Sequence, residues 1–234
     1  MPERNQVKPA PKSEETRQRI LTAALTLFND RGFEAATMRD IAEHAGVATG
    51  AAYYYFDSKD AIVMEFYRRS SAEMQPKLEA ALESATGLEQ RLHDVIRVKW
   101  QHFAPHRRVL RALLRNGADP AYPLSPFSAQ TSEIRAIDTE WFRRIAVDCG
   151  VRISKDLEPH LPGILWFFQM GAIYFWVIDD SPEQANSERL LSISAKSIAA
   201  LIRLSALPLM RPVRKAALEA VEIVKRVGSI TKAE

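Results

Sequence analysis

Apolar residues recur every three or four positions along most of the chain, with charged residues between them. From about Ser13 to Arg31, for example, Ala24 and Phe28 fall on one helical face, and Gly32 follows where the pattern stops. No stretch alternates with the period of two that marks a strand. The pattern therefore predicts an all-α protein. Later helices are predicted at residues 88–103, 106–116, 127–148, 157–179 and 183–206.

A long amphipathic helix is predicted to join two parts of the chain. Asp57 or Ser58 can cap its start, and the helical pattern continues to about Ala80. At about 1.5 Å per residue, such a helix is long enough to bridge two domains. We therefore expect four segments. They are a flexible arm at 1–12, a small helical domain at 13–60, a larger helical domain at 61–206 and a basic amphipathic helix at 207–234.

Two short helices joined by a tight turn are predicted just before that long helix. Thr37 can cap the first of them, with Asp40 three residues later able to reach back to it. Gly46 falls in the turn, where a residue without a Cβ atom adopts positive φ freely. The second helix is expected to begin near Ala48. This arrangement is typical of a helix-turn-helix, whose second helix enters the major groove of DNA by its N-terminal end.

Four aromatic residues follow within and after the second short helix. Because adjacent helical residues lie on different faces, Tyr53, Tyr54 and Tyr55 cannot all be buried. Exposed phenol hydroxyls can bind phosphates, and their rings can contact thymine methyl groups. Phe56 is instead expected to seal the core of the small domain, while Lys59 adds a positive charge at the start of the next helix.

Residues 16–65 resemble the tetracycline-repressor (TetR) family of bacterial one-component regulators. The resemblance rests on GVATGAAYYYFDSKDAI, on the preceding TMRDIAEHA and on the amphipathic helix RILTAALTLFNDRGFEAAT. The matching positions are Ile20, Ala23, Ala24, Phe28, Gly32, Thr37, Ile41, Ala42, Gly46, Val47, Tyr53, Phe56, Ser58 and Lys59. Ala48 and Ala52 depart from the family pattern, in which a Ser or Thr commonly caps the recognition helix and a larger aliphatic residue anchors it. The missing cap weakens the helix by about 1 kcal/mol.

The resemblance implies a transcriptional regulator, expected to be a repressor, that binds double-stranded DNA as a homodimer. Two recognition helices about 34 to 36 Å apart would read successive major grooves of a palindromic operator. The role of Arg39 rests largely on the resemblance, since an arginine on a surface helix is usually solvated. The residues expected to contact DNA are Thr37, Arg39, Thr49, Gly50, Ala51, Tyr53, Tyr54, Tyr55 and Lys59.

The charge of the chain does not itself indicate DNA binding. Residues 1–69 contain ten basic and ten acidic side chains, whereas residues 203–234 contain seven basic and three acidic ones. The high pI therefore comes from the C-terminal end. DNA contact has to depend on local placement of Arg39, Lys59 and the recognition-helix dipole, aided by the arm residues Arg4, Lys8 and Lys12.

The last two large-domain helices have the composition of a subunit interface. Residues 166–178 are apolar nearly all round, which requires burial on several sides. The following helix carries one apolar stripe, and small residues including Ala195 and Ala199 permit close approach of another helix. In TetR-like proteins two such helices from each subunit form a four-helix dimer interface; the alternative is burial within one subunit. The stripe comprises Leu190, Leu191, Ser194, Ile198, Leu201 and Ile202.

Aromatic residues are concentrated between the linker helix and the interface. A mostly apolar cavity with few polar groups is what a small-molecule site needs, so we expect a small, largely apolar effector there. Most of these side chains also have to form the core. The alternative is therefore a DNA-binding regulator or architectural protein controlled by a protein partner, with no cavity. The candidate ligand-binding residues are Trp100, Phe103, Trp141, Phe142, Trp166, Gln169, Met170 and Tyr174.

Enzymatic and metal chemistry are not expected. His102 and His106 are four residues apart, but Pro105 between them breaks the helix that a chelating pair would need. No nucleophile elbow, phosphate loop or cysteine pair is present, so no cofactor, metal or catalytic residue is assigned. The single cysteine, Cys149, is expected to be a buried apolar residue.

We expect a cytoplasmic protein with no membrane partner. The longest apolar run, about residues 164–178, contains Gln169 and is short for a bilayer span. From Pro212 onward, Val213, Ala217, Val221 and Val224 share one helical face opposite basic residues. This last helix could dock on the large domain, lie on an anionic membrane surface or remain partly frayed, and docking is the default.

Overall fold

The computed structural model describes residues 11–147 and 150–230, with the backbone only at residues 11, 147 and 224–230. Every regular element within these ranges is a helix, in agreement with the all-α prediction. The chain divides into two compact units, Met1–Phe66 and Tyr67–Glu234. The division falls inside a long helix, slightly after the expected boundary at residue 60. Cys149, Arg4 and Lys8 lie outside the described residues, so their predicted roles have no structural counterpart here.

The described part of the first unit, residues 11–66, is built from three helices and the start of a fourth. Phe28 and Ile41 are almost completely buried in its core, and burying a side chain of this size stabilises a fold by about 1.5–3 kcal/mol. Phe56 is also buried, as predicted. At the rim, the Arg17 guanidinium lies 2.8 Å from the Glu65 carboxylate. The helices are α1 (Pro11–Arg31), α2 (Met38–His44), α3 (Thr49–Tyr55) and α4 (Lys59–Ser84).

Where the structure describes it, the second unit contains the rest of α4 and six further α-helices. Its core has two parts, one around Trp141, Phe142 and Trp166, the other around the stacked rings of Trp100 and Trp176, whose centroids are 5.9 Å apart. The helices are α5 (Leu88–Phe103), α6 (Arg107–Leu113), α7 (Ser132–Val147), α8 (Leu161–Ile178), α9 (Ala185–Ser205) and α10 (Arg211–Ile230). Short 3-10 turns occur at Ala104–His106, Pro182–Gln184 and Pro208–Met210.

The segment before α7 is a chain of turns rather than helix, contrary to the prediction that a helix begins at 127. Prolines at 120, 123 and 126 remove backbone donors and prevent a regular helix. Buried hydroxyls satisfy the backbone carbonyls instead. Ser125 Oγ donates to Gly117 O at 2.6 Å, and Thr131 Oγ1 donates to Ser125 O at 2.7 Å. These bonds fix the turns and delay the start of α7 to Ser132.

The start of α10 is tied to neighbouring residues of the second unit. Arg214 donates to Ser205 O at 2.5 Å and to Leu207 O at 3.2 Å, and its Nε lies 3.2 Å from Asp156 Oδ2. The accepting groups of Asp156 and Ser205 anchor this end of the helix. Val224 belongs to the part of α10 whose side chains are not described.

Candidate functional site

A reciprocal cap fixes the first helix of the helix-turn-helix. The Thr37 amide donates to Asp40 Oδ2 at 2.9 Å, and the Asp40 amide donates to Thr37 Oγ1 at 3.2 Å. This is the capping box predicted from the sequence. The hydrogen bond from the Thr37 side chain, followed by that from its backbone, lowers the pKa of the Asp40 carboxyl. The cap is therefore fully charged at neutral pH.

The turn between the two helices is held by an arginine from α1. Gly46 has φ +65°, the left-handed conformation expected for it. Arg19 Nη2 donates to Ala45 O at 2.7 Å and to Gly46 O at 3.2 Å, so α1 clamps the turn. The role of Arg19 was not predictable from local sequence, because its partners are 26 and 27 residues away.

Helix α3 buries Ala52 and exposes two of its tyrosines. Ala52 is completely buried, whereas Tyr53 is 52% and Tyr54 83% exposed. The prediction that the tyrosines cannot all be buried is therefore confirmed. Tyr54 packs edge-on against Tyr55, with ring centroids 5.2 Å apart. The N-cap residue, Ala48, makes no side-chain capping bond, as its methyl group requires.

The other residues expected to contact DNA differ in whether their side chains are exposed or already bind another part of the protein. Arg39, Thr49 and Gly50 are exposed, and Ala51 is half-buried. Lys59 instead donates to Phe33 O at 2.7 Å, and its ammonium lies 4.7 Å from the centre of the Phe33 ring. Lys59 thus fixes the loop after α1, a structural role that the sequence did not indicate.

A cavity of about 400 Å³ lies within the second unit. Its walls come from α4, α5, α6, α7, α8 and the turns before α7. The lining is mostly apolar, and the volume falls within the range of about 300–1,000 Å³ typical of ligand sites. Apolar wall residues include Met74, Phe103, Leu110, Phe127, Trp166 and Met170.

One wall of the cavity carries a buried network of charged and polar side chains. Lys99 Nζ lies 2.8 Å from Asp138 Oδ1, and the lysine is only 1% exposed. The contact has the distance of an ion pair but not the geometry of a hydrogen bond. Gln169 Nε2 donates to the other carboxylate oxygen, Asp138 Oδ2, at 3.0 Å. Helices α5, α7 and α8 therefore meet at one carboxylate.

Two further polar residues line the same cavity. Arg135 Nη1 donates to Pro126 O at 2.5 Å and to Ser128 O at 3.2 Å, and its guanidinium lies 5.8 Å from the Trp166 ring centre. Burial lowers the pKa of Arg135. Burial also raises the pKa of Tyr67 far above its usual range, so this phenol stays neutral.

Two sequence profiles together cover most of these elements. The profile described as "Bacterial regulatory proteins, tetR family" matches residues 20–66, and the profile "Tetracyclin repressor-like, C-terminal domain" matches residues 91–217. The second profile alone spans more than half of the 234 residues. The chain belongs to the TetR family. Members of this family are helix-turn-helix transcriptional regulators, which are not enzymes.

Curated relatives support the same assignment. The HTH-type transcriptional repressor KstR2 of Mycolicibacterium smegmatis is 37% identical over 145 residues, which are 61% of this chain and 70% of that protein. KstR2 of Rhodococcus jostii is 40% identical over 32% of this chain and 36% of the relative. The regulator BetI of Rhizobium meliloti is 33% identical over 38% and 45% of the two chains. Two of these three matches thus cover less than half of the relative.

Solved structures share the fold of this TetR-family chain. A TetR transcriptional regulator from Nitrosomonas europaea has a TM-score of 0.60 at 18% identity, covering 80% of this chain and 98% of the other. The fatty acid degradation regulator FadR from Bacillus halodurans has a TM-score of 0.60 at 17% identity, covering 84% and 97%. At such low identity the likeness concerns the fold alone.

Half of the predicted ligand-binding residues line the cavity. Phe103, Trp166, Met170 and Tyr174 belong to its walls. Tyr174 is held in place by its hydroxyl, which donates to Leu114 O at 2.6 Å. These four side chains come from α5 and from α8, the helix that the sequence also placed in the subunit interface.

The other half does not line the cavity. Trp100 stacks on Trp176 in the second core cluster, and Trp141 and Phe142 are buried in the first cluster at 6% and 0% exposure. Gln169 is completely buried, and its amide nitrogen is directed to Asp138 instead of to the cavity. Its Oε1 has no hydrogen-bond partner.

The charged residues of the cavity wall were not predicted from the sequence, although their positions in the helices carry a signal. Lys99 follows Val95 and Ile96 by four and three positions, so it occupies the buried face of α5. Asp138 similarly lies three and four positions before Trp141 and Phe142 on α7. Opposite charges at core positions of two helices are costly unless paired, and this rule would have linked them.

The predicted interface stripe on α9 divides between two faces, which corrects the expectation. Leu191 and Ile202 are buried within the unit, as are Ala195 and Ala199, because α9 packs on α5 through them. Adjacent residues such as Leu190 and Leu191 lie about a quarter turn apart and cannot share one face. The exposed large apolar residues of α9 are Leu190, Ile193, Leu201 and Leu204, and those of α8 are Phe167, Tyr174, Phe175 and Ile178.

Helix α8 is longer than the apolar run considered in the sequence analysis. Its 18 residues have a mean hydropathy of 1.6, which by length and composition is enough to cross a membrane; 33% of them are buried in the described structure. A bent pair, Pro182–Ser205 with Pro208–Ile223, passes the same test. Core helices of globular proteins also pass it, and α8 lies inside the region matched by the TetR-like C-terminal profile. We therefore assign α8 to the regulatory domain.

Proposed function

We propose that this TetR-family chain is a homodimeric repressor that binds a palindromic operator and leaves it when a small, largely apolar effector fills the cavity. The observation that carries the proposal is the cavity of about 400 Å³ with mostly apolar walls. The alternative, control by a protein partner, predicted a sensor region filled by its own aromatic side chains. An open volume of this size favours the small-molecule effector.

The helix-turn-helix geometry supports operator binding by the first unit. Tyr53 and Tyr54 are exposed beside the half-buried Tyr55, and the start of α3 carries the small exposed residues Thr49 and Gly50. Small residues let the helix approach base edges closely, while phenol hydroxyls bind phosphates. Thr37, Arg39, Ala51 and Lys59 complete the proposed contact surface, with Lys59 reaching DNA only by exchanging a carbonyl partner for a phosphate.

The exposed apolar residues of α8 and α9 support dimer formation. Leu201 and Leu204 are 54% and 45% exposed, and Phe167 and Ile178 are similarly exposed on α8. Several large apolar residues exposed on neighbouring stretches of the chain are typical of a subunit interface. A dimer also provides the two recognition helices that a palindrome requires.

Helix α4 is the element we propose to transmit the effector signal. It begins at Lys59, which anchors the loop after α1, and it contributes Tyr67, Ser71 and Met74 to the cavity wall. An effector that favours one position of α4 would change the separation of the recognition helices. Its effect on operator affinity cannot exceed its differential affinity for the two states.

The proposal is tested by identifying the operator and then measuring whether small molecules displace the protein from it. Genomic fragments bound by the purified full-length protein should share a palindromic sequence, and a library of apolar small molecules should contain compounds that displace the protein from it. The same compounds should change tryptophan fluorescence, since Trp166 lines the cavity. A library that leaves fluorescence, melting temperature and operator binding unchanged would contradict effector control.

The dimer is tested with a matched pair of variants. Leu201→Asp should produce folded monomers, because it places a charge in the proposed interface, whereas Ala199→Asp should unfold the subunit, because Ala199 is completely buried within it. Sedimentation and circular dichroism separate the two outcomes. A Leu201→Asp protein that remains dimeric would place the interface elsewhere.

A further inference from the structure

A buried lysine in the wall of the cavity has an ammonium group with no hydrogen-bond partner in the described structure. The Lys99 side chain is 2% exposed and lines the wall, and its ammonium has one ion-pair contact, to Asp138, and no hydrogen bond with proper geometry. An ammonium has three N–H donors, and leaving them unmatched in a buried site costs free energy. From this we infer that the effector is a monocarboxylate with an apolar body, whose carboxylate is received by Lys99.

Both carboxylate oxygens of Asp138 already have a partner on this wall, which favours a particular chemistry for the missing group. One Asp138 oxygen is in contact with Lys99, and the other accepts a hydrogen bond from Gln169. The effector therefore has to supply acceptors to Lys99, not donors to Asp138. A carboxylate does this with a charge-assisted hydrogen bond, roughly twice as strong as one between neutral groups. An amine would meet the Lys99 charge with a like charge.

The balance of charge limits the effector to one negative charge. Among the described residues that line the cavity, the charged side chains are Lys99, Arg135 and Asp138, which leave one net positive charge. A monocarboxylate neutralises it, whereas a dianionic phosphate would carry one uncompensated charge into an apolar site. The rest of the wall, including Phe103, Phe127 and Met170, accepts an apolar body.

The inference rests on the proposed function, because it concerns the effector of the same cavity. It is tested with four probes that share an eight-carbon chain and differ in the head group: octanoate, 1-octanol, octylamine and octyl phosphate. Their affinities for the full-length dimer are measured by calorimetry at neutral pH. Octanoate should bind about tenfold more tightly than octanol, and more tightly than octyl phosphate and octylamine.

Three variants separate a role in recognition from a role in folding. Asp138→Asn releases Lys99 from its counter-charge and should tighten octanoate binding severalfold. The double variant Lys99→Met/Asp138→Asn removes both charges, so no partner of the pair is left unpaired, and it should lose most of the preference for octanoate over octanol even though Arg135 keeps its charge. Lys155→Met changes an exposed lysine of the same unit and should leave the preference intact. Circular dichroism establishes that each variant is folded.

Each outcome has a distinct meaning. If octanol binds as tightly as octanoate to the wild-type protein, the carboxylate inference is wrong, while effector control by a neutral apolar molecule stands. If octanoate is preferred but the double variant keeps the preference, Lys99 is not the recognising group and the inference is again wrong. Failure of the proposed function would be seen in a different experiment, the operator-release assay, in which no apolar compound would displace the protein from DNA.

Discussion

The helix-turn-helix of the first unit and the Lys99–Asp138–Gln169 network of the second unit use polar side chains in different ways. In the first unit, Arg19 and Lys59 donate to backbone carbonyls at the ends of turns, and Thr37 with Asp40 caps a helix. In the second unit, Lys99, Asp138 and Gln169 bind one another across three helices beside a cavity. The first arrangement fixes a backbone shape for a constant partner. The second leaves donors uncommitted, as a site for a variable small molecule requires.

The largest expected effect tests the pair in the second unit. Lys99→Met should destabilise the protein by about 3 kcal/mol, the lower end of the range for a buried pair, because it removes the counter-charge of Asp138, whose side chain is 18% exposed. Adding Asp138→Asn should restore most of that loss. Urea unfolding of both variants measures the difference. Equal destabilisation by the single and double variants would show that packing of the lysine chain matters more than its charge.

A smaller effect tests the turn of the first unit. Gly46→Ala should cost about 1–2 kcal/mol, since φ is +65° and an L-residue is strained there even though its Cβ would lie 3.7 Å from Arg19 Nη2, without a clash. Gly50→Ala is the control, because Gly50 lies within α3 with open space around it, and it should stabilise the fold slightly. Thermal unfolding should rank them in that order; the opposite order would mean that the turn relaxes.

The smallest effect concerns pH. Hydrogen bonds from Thr37 lower the pKa of Asp40 in the folded protein, so this carboxylate stabilises the fold above its unfolded pKa, and the contribution is lost as pH falls through the lower folded value. Asp40→Asn should therefore reduce the loss of melting temperature between neutral pH and about pH 3. An unchanged pH profile would show that the capping box contributes no measurable stability.

The same contrast explains how far the sequence could be interpreted. The helix-turn-helix was predictable because its determinants are close in sequence: Thr37 and Asp40 are three residues apart, and Gly46 marks its own turn. The bounds of α5 were predicted for the same reason. The cavity was predicted only in part, since Lys99, Asp138 and Gln169 are separated by more than 30 residues and meet only after helices pack. Composition showed where along the chain the aromatic residues are concentrated, but it did not show which helix faces they occupy.

The division of α9 into two apolar faces shows a second limit. Its sequence is apolar over a broad arc, and either half could have packed inside the subunit. The choice depends on Ala195 and Ala199, whose small side chains let α5 approach. Helical periodicity identifies faces, whereas the packing partner decides which face remains exposed.

Reciprocal coupling between effector and operator is the most direct test of ligand-controlled repression. Effector affinity is measured for the free dimer and for the dimer saturated with its operator, and operator affinity with and without saturating effector. Thermodynamic linkage requires the two ratios to be equal, and we expect each to be about 5- to 150-fold. An effector that binds in the cavity but leaves operator affinity unchanged would contradict the proposed repressor mechanism.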